Sequence, residues 1–322
     1  MKAIRIHQTG GPEVLKYEEV AAPDVTADRV LIEQRAVGLN FIDIYHREGL
    51  YRLPLPFIPG VEGAGVVKAV GPEVGRFRPG DRVAYALGAG AYAQLAAIPE
   101  ARVARLPEGI DFPVGAAAMV QGLTAHYLTT DTFTLRAWHV ALVHAAAGGV
   151  GLLLVQLCKR VGARVIGTVS SEEKARLARE AGADDVILYT KEDFEARVKE
   201  LTAGQGCDVV YDSVGKDTFE KSLSCLRPRG LLVLYGQSSG PVPPFDAQIL
   251  NARGSVFLTR PSLGNYTATH QELNMRAQQM FGWIKNGAVK VRTASSYRLA
   301  DAAQAQIDLV GRKTTGKVVL LP

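Results

Sequence analysis

Short apolar runs alternate with stretches of helical periodicity in the middle of the chain. An apolar run leads into small residues over 140–151, and helical spacing follows over 152–163. Two more strand-like runs, 163–169 and 184–189, flank a charged helical stretch at 171–182. Strands and helices that alternate over short loops predict a βαβαβ unit, the building block of a doubly wound parallel sheet.

The turn after the first of these strands has the spacing of a dinucleotide-binding motif. Ala146, Gly148 and Gly151 occupy the three glycine positions of G-x-G-x-x-G, with alanine replacing the first. Gly148 would let the backbone approach a pyrophosphate, and Gly151 would let the helix pack tightly on the strand. A tight turn without a ligand can show the same spacing, but the complete βαβαβ context favours a bound dinucleotide.

The pattern differs on either side of this unit. Before about residue 120, short apolar runs are separated by Gly and Pro, which predicts a small, mostly β domain. After the unit, further strand-like runs extend the parallel sheet, at 206–215, 229–237 and 255–263. The tail is predicted to hold two helices and a last strand at 316–322.

Composition narrows the class of protein. With 322 residues, 47% hydrophobic and 21% charged, the chain suits a globular protein of two domains. No apolar stretch is long enough to cross a membrane, and no secretory signal is predicted. Cys158, Cys207 and Cys225 lie far apart, which argues against a disulfide framework and fits the cytoplasm. The net charge of +5 suits either a basic surface or an anionic ligand, and without a basic run interleaved with aromatics RNA is not expected.

Five motifs along the chain resemble the medium-chain dehydrogenase/reductase superfamily in order and spacing. They are RAVGLNFIDIYHREGLY (35–51), FIPGVEGAGVV (57–67), PGDRV (79–83), VHAAAGGVG (143–151) and VVYDSVG (209–215). Together with TRPS at 259–262, these motifs are most similar to the zinc-independent quinone oxidoreductases, the group that includes ζ-crystallin. The resemblance covers the whole chain.

The resemblance implies an α/β protein with a GroES-like, mostly β catalytic domain and a Rossmann cofactor domain built on a doubly wound parallel sheet. The expected boundaries are 1–122 for the catalytic domain and 123–264 for the cofactor domain. Residues 265–322 are expected to return to the catalytic domain. The strand SVFLTRPS is predicted to form an exposed edge that pairs with a second copy in a homodimer, and a tetramer remains open.

Two positions separate this chain from the zinc alcohol dehydrogenases. Asn40 and Val61 stand where those enzymes carry a cysteine and a histidine, and neither side chain replaces a zinc ligand. The cysteine-rich lobe of those enzymes is also missing. The resemblance therefore implies no zinc, and Glu62 is interpreted as a structural residue that holds its loop.

The end of the second strand indicates which nicotinamide cofactor to expect. NAD-binding folds usually carry an acidic residue there, whereas this strand ends in Ser170 and Ser171. A carboxylate would repel the 2′-phosphate, so its absence favours NADPH. The resemblance implies that Lys174, Tyr189 and Arg312 clamp that phosphate, although each alone could be an ordinary surface residue.

The resemblance also assigns the remaining contacts. Asn40, Tyr45, Thr124 and Tyr127 are expected near the nicotinamide. The other expected cofactor contacts are Gly148, Gly149, Val150, Gly151, Ser170, Ser171, Val214, Tyr235, Gly236, Gln237, Ser238 and Arg260. Arg260 suits a domain-bridging ion pair equally well.

Without a metal to polarise the substrate, the acceptor must be electrophilic itself. The leading hypothesis is an NADPH:quinone oxidoreductase, with hydride transfer and one-electron transfer both open. Asn40, Tyr45 and Tyr51 are expected to orient the acceptor, although Tyr51 could equally pack its loop. The alternatives are an NADPH-dependent enone or enal reductase and a non-catalytic protein that binds NADPH or RNA.

Overall fold

The chain folds into two compact units. A computed structural model describes residues 1–322. Met1–Leu123 and Tyr266–Pro322 form the first, which we call the outer unit, and Thr124–Asn265 form the second, the central unit. The chain therefore leaves the outer unit once and later returns to it.

The N-terminal part of the outer unit is mostly β. Its strands are β1 (Lys2–Arg5), β2 (Lys16–Glu19), β3 (Arg29–Leu39), β4 (Glu62–Val70), β5 (Arg82–Ala86), β6 (Leu95–Pro99) and β7 (Val103–Arg105). Its helical elements are α1 (Phe41–Glu48), α2 (Phe112–Ala117), the 3₁₀ turns Pro12–Val14 and Glu100–Arg102, and a π-helical segment at Ala118–Gly122.

The central unit alternates strands and helices. A short helix, α3 (Leu123–Tyr127), and a π-helical segment, Leu128–Thr132, lead into it. Its strands are β8 (Val140–Val143), β9 (Arg164–Val169), β10 (Asp185–Leu188), β11 (Cys207–Asp212), β12 (Leu226–Leu234) and β13 (Phe257–Thr259). Its helices are α4 (Gly149–Arg160), α5 (Glu172–Glu180), α6 (Phe194–Leu201), α7 (Phe219–Ser224) and α8 (Gln248–Ala252).

All six strands of the central unit are parallel, in the order β10-β9-β8-β11-β12-β13. The order reverses between β8 and β11, which is the doubly wound arrangement with its switch point beside the first strand. This confirms the predicted fold class. Ligands of such sheets bind outside the carboxyl ends of the strands near the switch point.

The tail completes the sheet of the outer unit. It contains α9 (Leu263–Tyr266), α10 (His270–Lys285), β14 (Ser295–Arg298), the 3₁₀ turn Leu299–Asp301, α11 (Ala302–Val310) and β15 (Val318–Leu321). β15 pairs antiparallel with β3, so the large sheet runs β14-β15-β3-β4-β5-β7, with β6 also paired to β3. Apolar residues from these strands, among them Ile32, Tyr85 and Ile98, form the core of the outer unit.

Two local differences from the sequence pattern have simple causes. The predicted strand at 255–263 is shortened to Phe257–Thr259, because Pro261 lacks the N–H needed to continue a ladder. Helix α6 was not predicted; it begins after Asp193, whose carboxylate accepts hydrogen bonds from the N–H groups of Glu195 and Ala196. None of the helices combines the length and apolar character needed to span a bilayer.

Candidate active site

The glycine turn lies between β8 and α4 in the central unit. Gly148 is the N-cap of α4 in an extended conformation. A Cβ on Gly151 would overlap the carbonyl oxygen of Ala145 and lie 2.9 Å from Cα of Ala146. Only glycine therefore allows this approach of helix to turn, and the N-terminus of a 12-residue helix is presented at the carboxyl end of β8. The arrangement fits the pyrophosphate of a dinucleotide.

Polar side chains gather beyond the neighbouring strands β9 and β10. Ser171 caps α5 by accepting a 3.3 Å hydrogen bond from the N–H of Lys174. The N–H of Tyr189 donates to the carbonyl of Val169 at 3.2 Å, so Tyr189 follows β10 directly beside the end of β9. The structure therefore brings Ser171, Lys174 and Tyr189 to one edge of the sheet. Of the two acidic residues between Ser171 and Lys174, Glu172 pairs with Lys191 at 2.9 Å.

A buried polar network joins three strand ends at the switch point. His144, Thr168, Asp212 and Ser222 are each at most 2% exposed. The Ser222 hydroxyl donates to Asp212 at 2.8 Å, so it accepts from Nε2 of His144 at 3.0 Å. Nδ1 of His144 then accepts from the Thr168 hydroxyl at 2.9 Å. Burial lowers the pKa of His144, although Asp212 opposes this, so the neutral ring holds β8, β9 and β11 together.

Asp212 also shapes the turn that follows β11. One carboxylate oxygen accepts from the N–H groups of Val214 at 2.8 Å and Gly215 at 3.0 Å. The N–H of Tyr235, after β12, donates to the Asp212 carbonyl at 2.8 Å. Val214 and Tyr235, two of the sequence-predicted cofactor contacts, are thus held by the same residue at neighbouring strand ends.

The outer unit holds the other candidate cluster, centred on Asn40. This residue follows β3, is 7% exposed and precedes α1. Its Nδ2 donates to Glu62 at 2.6 Å and its Oδ1 accepts from Lys317 Nζ at 2.8 Å. Glu62 and Lys317 form an ion pair with side chains 0% and 1% exposed. Glu62 therefore starts a strand and pairs with a cation, in addition to the structural role predicted for it.

Asp43 lies in the first turn of α1, beside this cluster. Its Oδ2 accepts from the N–H of Asn40 at 2.9 Å and from the Tyr92 hydroxyl at 3.0 Å, while its buried Oδ1 has no partner. Burial raises the pKa of Asp43 to about 7, against the hydrogen bonds and the charge of Lys317, which lower it. The Asp43 carboxyl group therefore changes between its neutral and charged forms near neutral pH.

Tyr45, in α1, and Tyr51, shortly after this helix, form an aromatic pair. Their ring centroids lie 5.4 Å apart at an interplanar angle of 71°, and the N–H of Tyr51 donates to the carbonyl of Tyr45 at 3.1 Å. Tyr45 is half-buried and Tyr51 is 37% exposed. Tyr51 packs on its neighbour and still presents part of its ring to solvent.

The predicted site residues divide between the two units. Asn40, Tyr45, Tyr51 and Arg312 belong to the outer unit. The rest belong to the central unit: Thr124, Tyr127, Gly148, Gly149, Val150, Gly151, Ser170, Ser171, Lys174, Tyr189, Val214, Tyr235, Gly236, Gln237, Ser238 and Arg260.

The predicted site residues differ in their exposure to solvent. Tyr127 is 2% exposed and Thr124 is 9% exposed, whereas Arg260 and Arg312 are exposed. Arg312 has a φ of +58°, a left-handed conformation that glycine adopts more easily.

Sequence reasoning missed Lys317 and Asp43. Lys317 directly precedes the apolar run of β15, and Asp43 lies within the apolar motif NFIDIY. A charged residue within or directly beside an apolar run was the available signal that each side chain is buried. No three His, Cys, Asp or Glu side chains are grouped so that they could hold a metal ion.

Two family models match the chain. An alcohol dehydrogenase GroES-like domain matches residues 26–108, and the model described as zinc-binding dehydrogenase matches residues 149–275. These segments lie in the mostly β part of the outer unit and around the parallel sheet, respectively.

Full-length relatives are also found. A quinone oxidoreductase of Pseudomonas aeruginosa is 50% identical over 100% of this chain and 99% of its own. Quinone oxidoreductase 1 of Escherichia coli is 45% identical, with 99% of both chains covered. A 2-haloacrylate reductase of Burkholderia is 41% identical, with 98% of both chains covered.

Solved structures agree with these relatives. The E. coli quinone oxidoreductase complexed with NADPH has a TM-score of 0.98 at 44% identity, with both chains fully covered. A mycobacterial protein complexed with NADPH has a TM-score of 0.98 at 47% identity, again with both chains fully covered. The chain therefore belongs to the quinone oxidoreductase family of the medium-chain dehydrogenase/reductase superfamily.

Proposed function

We propose that this chain is an NADPH-dependent quinone reductase. The observation that carries the proposal is the full-length similarity, at 45–50% identity, to proteins named quinone oxidoreductase. In the overall reaction NADPH gives up two electrons and one proton, the equivalent of a hydride, a second proton comes from the solvent, and the products are hydroquinone and NADP⁺. When bound, the cofactor supplies the electrons; the protein orients the two reactants and shapes the polar surroundings of the acceptor.

The central unit fits NADPH in two respects. Gly148 caps α4, and Gly151 allows the close contact of this helix with the turn, so the N-terminus of α4 is presented where a pyrophosphate would bind. Ser170 and Ser171 directly follow β9, and neither carries a carboxylate that would repel a 2′-phosphate. In the proposed complex Lys174, Tyr189 and Arg312 bind that phosphate.

The remaining proposed contacts follow the same plan. Gly149 and Val150 belong to the pyrophosphate turn, and Asn40, Tyr45, Thr124 and Tyr127 serve the nicotinamide end. Further proposed contacts after β11, β12 and β13 are Val214, Tyr235, Gly236, Gln237, Ser238 and Arg260. For the acceptor we propose Asn40, Tyr45 and Tyr51, since an amide and two phenols can donate hydrogen bonds to a quinone oxygen.

One relative supports a second candidate reaction. The 2-haloacrylate reductase acts, by its name, on an activated alkene, and it covers 98% of this chain. Reduction of enones or enals by NADPH is therefore the alternative for the same site.

Initial rates separate the two reactions. We expect turnover of 1,2- and 1,4-quinones with NADPH, and a clearly smaller kcat/KM with NADH. Enones and 2-haloacrylates are the competing substrates in the same assay. Turnover of these alkenes without quinone turnover would contradict the proposal, as would equal use of NADH.

For the assembly we propose a homodimer in the cytoplasm, with a tetramer as the alternative. The strand β13 pairs only with β12, so its other edge is open to a second copy. The compartment is supported by the cysteines, because all three thiols are buried and unpaired. Burial raises the pKa of Cys158 to about 12, which suits an inert thiol in a reducing environment.

A further inference from the structure

The buried ion pair of Glu62 and Lys317 joins two strands that are not neighbours. Glu62 begins β4, Lys317 directly precedes β15, and β3 runs between them in the sheet. Gly38 on β3 makes room, since a Cβ there would lie 2.6 Å from Cδ of Glu62. The carboxylate and ammonium therefore meet over a glycine at the end of β3, one residue before Leu39 and two before Asn40.

Such a pair is a costly way to stabilise a fold. Removing both ions from water costs several kcal/mol each, and apolar replacements of buried pairs are often neutral or stabilising. The side chains of Glu62 and Lys317 are 0% and 1% exposed, so both charges are removed from water almost completely. The contacts that the pair makes are therefore a better guide to its role than its contribution to stability.

Those contacts determine the orientation of the Asn40 carboxamide. Its Nδ2 faces the carboxylate at 2.6 Å and its Oδ1 faces the ammonium at 2.8 Å. A flipped amide would place N–H groups against the ammonium and the oxygen against the carboxylate. A carboxamide carries two N–H bonds, and Glu62 takes one of them. The other remains available as a donor in a fixed direction.

We propose that Glu62 and Lys317 are positioning residues that hold Asn40 so that its second N–H donates to the acceptor oxygen. This inference rests on the proposed quinone reduction. Negative charge develops on that oxygen as electrons arrive, and a donor that is already oriented stabilises the charge without reorganisation. The ammonium on Oδ1 also withdraws electron density from the amide, which strengthens the N–H as a donor.

The test compares single and double substitutions at the pair. Glu62→Met and Lys317→Met each leave one buried charge, so both single variants should be less stable. The double variant removes both charges and should recover much of the stability. If the pair positions Asn40, the double variant still loses about 10²-fold in kcat for quinone, as expected for a donor at a developing oxyanion.

Two comparisons make the test specific. Val318→Ala removes buried contacts on β15 and leaves the side chains of Asn40, Glu62 and Lys317 in place, so it should lower stability while kcat stays unchanged. In an Asn40→Ala background, adding Glu62→Met and Lys317→Met should lower kcat no further, because residues that act through Asn40 are not additive with it.

The outcomes separate this proposal from the proposed function. Absence of quinone turnover by the unmodified chain overturns the proposed function itself. With turnover present, three results overturn the positioning role: kcat in the double variant that recovers with stability, losses that multiply in the Asn40→Ala background, or a loss confined to the NADPH dissociation constant.

Discussion

Asp43 is a carboxyl group that the fold isolates from water while leaving one of its oxygens without a hydrogen bond. Its pKa is raised from 3.8 to about 7, with burial as the main cause. Lys317 lowers this pKa and Glu62 raises it, so the charges of the ion pair partly cancel at Asp43. The folded chain therefore binds this proton more tightly than the unfolded chain does.

The consequence is a stability that falls as pH rises. Between about pH 4 and 7 the unfolded chain has released the Asp43 proton and the folded chain still holds it. Asp43→Asn imitates the protonated side chain, because its oxygen can accept from Asn40 and Tyr92. We expect the difference in free energy of unfolding between the variant and the wild type to grow by about 2–3 kcal/mol in favour of the variant from pH 5 to pH 7, and to stay constant above pH 7.

Urea unfolding across pH 5–8 measures this difference. Asp81→Asn is the matched control, since the pKa of Asp81 is lowered by its hydrogen bonds with Arg78 and Arg105 against the effect of burial. Asp81 titrates below the measured pH range, so the free energies of unfolding of Asp81→Asn and the wild type should differ by the same amount at every pH. A constant difference for Asp43→Asn would contradict the raised pKa.

The proposed phosphate clamp makes a second prediction about single residues. If Lys174 binds the 2′-phosphate, Lys174→Ala removes one charge-assisted contact, and NADPH binding should weaken by about 1–3 kcal/mol while NADH binding changes little. Titration of each cofactor by fluorescence gives both dissociation constants. An equal loss for NADPH and NADH would mean that Lys174 does not bind the 2′-phosphate.

Arg312 allows binding to be separated from folding at the same clamp. Its φ of +58° is unfavourable for a side chain that carries a Cβ. Arg312→Gly should therefore raise the free energy of unfolding by up to about 1 kcal/mol while weakening NADPH. Higher stability with unchanged NADPH affinity would mean that Arg312 is a surface residue that does not bind the 2′-phosphate.

Local chemistry explains which single residues could be predicted. Asn40 lies within the motif at 35–51, and the missing acid after Val169 is visible in the sequence. Lys317 could not be placed in the same way. Its burial depends on Glu62, which is 255 residues away and reaches it only because β15 and β4 both pair with β3. That pairing is a property of the sheet, and no local pattern contains it.

At the scale of elements, the parallel sheet was predictable because each strand is an apolar run followed by its own turn. The strand ends are held by contacts that the pattern does not contain. His144 precedes the glycine turn and reads as an ordinary core residue, yet its ring links Thr168 to Ser222 and through it to Asp212. The turns that would meet the cofactor are thus tied to one another below the surface.

The glycine turn itself gives a prediction for an element. A Cβ at Gly151 would overlap backbone atoms of the turn, which cannot move as a flexible side chain could. Gly151→Ala should lower the free energy of unfolding by about 1–3 kcal/mol and weaken NADPH at least about tenfold. Urea unfolding and NADPH titration measure the two effects.

Gly282→Ala is the matched substitution in another helix. Gly282 lies within α10, and a Cβ there meets nothing within 4 Å. Alanine should stabilise this helix by up to about 1 kcal/mol without affecting NADPH. If Gly151→Ala behaved like Gly282→Ala, the close contact of α4 with its turn would not be needed for binding.

At the scale of the whole molecule, the open edge of the parallel sheet is the surface through which we propose that two copies of the chain associate. β13 is three residues long and its Phe257 is 60% exposed. An exposed edge with a large apolar side chain favours pairing with a second copy, and a two-fold axis at this edge would join two parallel sheets into one.

Phe257→Glu tests this assembly, because it places a charge on each side of the proposed two-fold axis. We expect the wild type to sediment as a dimer at micromolar concentration and the variant to shift to monomer, with its far-UV circular dichroism unchanged. Trp138→Glu is the control: Trp138 is also a large apolar residue, 77% exposed, but lies before β8, away from the edge. A wild-type monomer, or a variant that remains dimeric, would contradict pairing through β13. A wild-type tetramer that Phe257→Glu splits into dimers would keep the β13 interface and add a second one elsewhere.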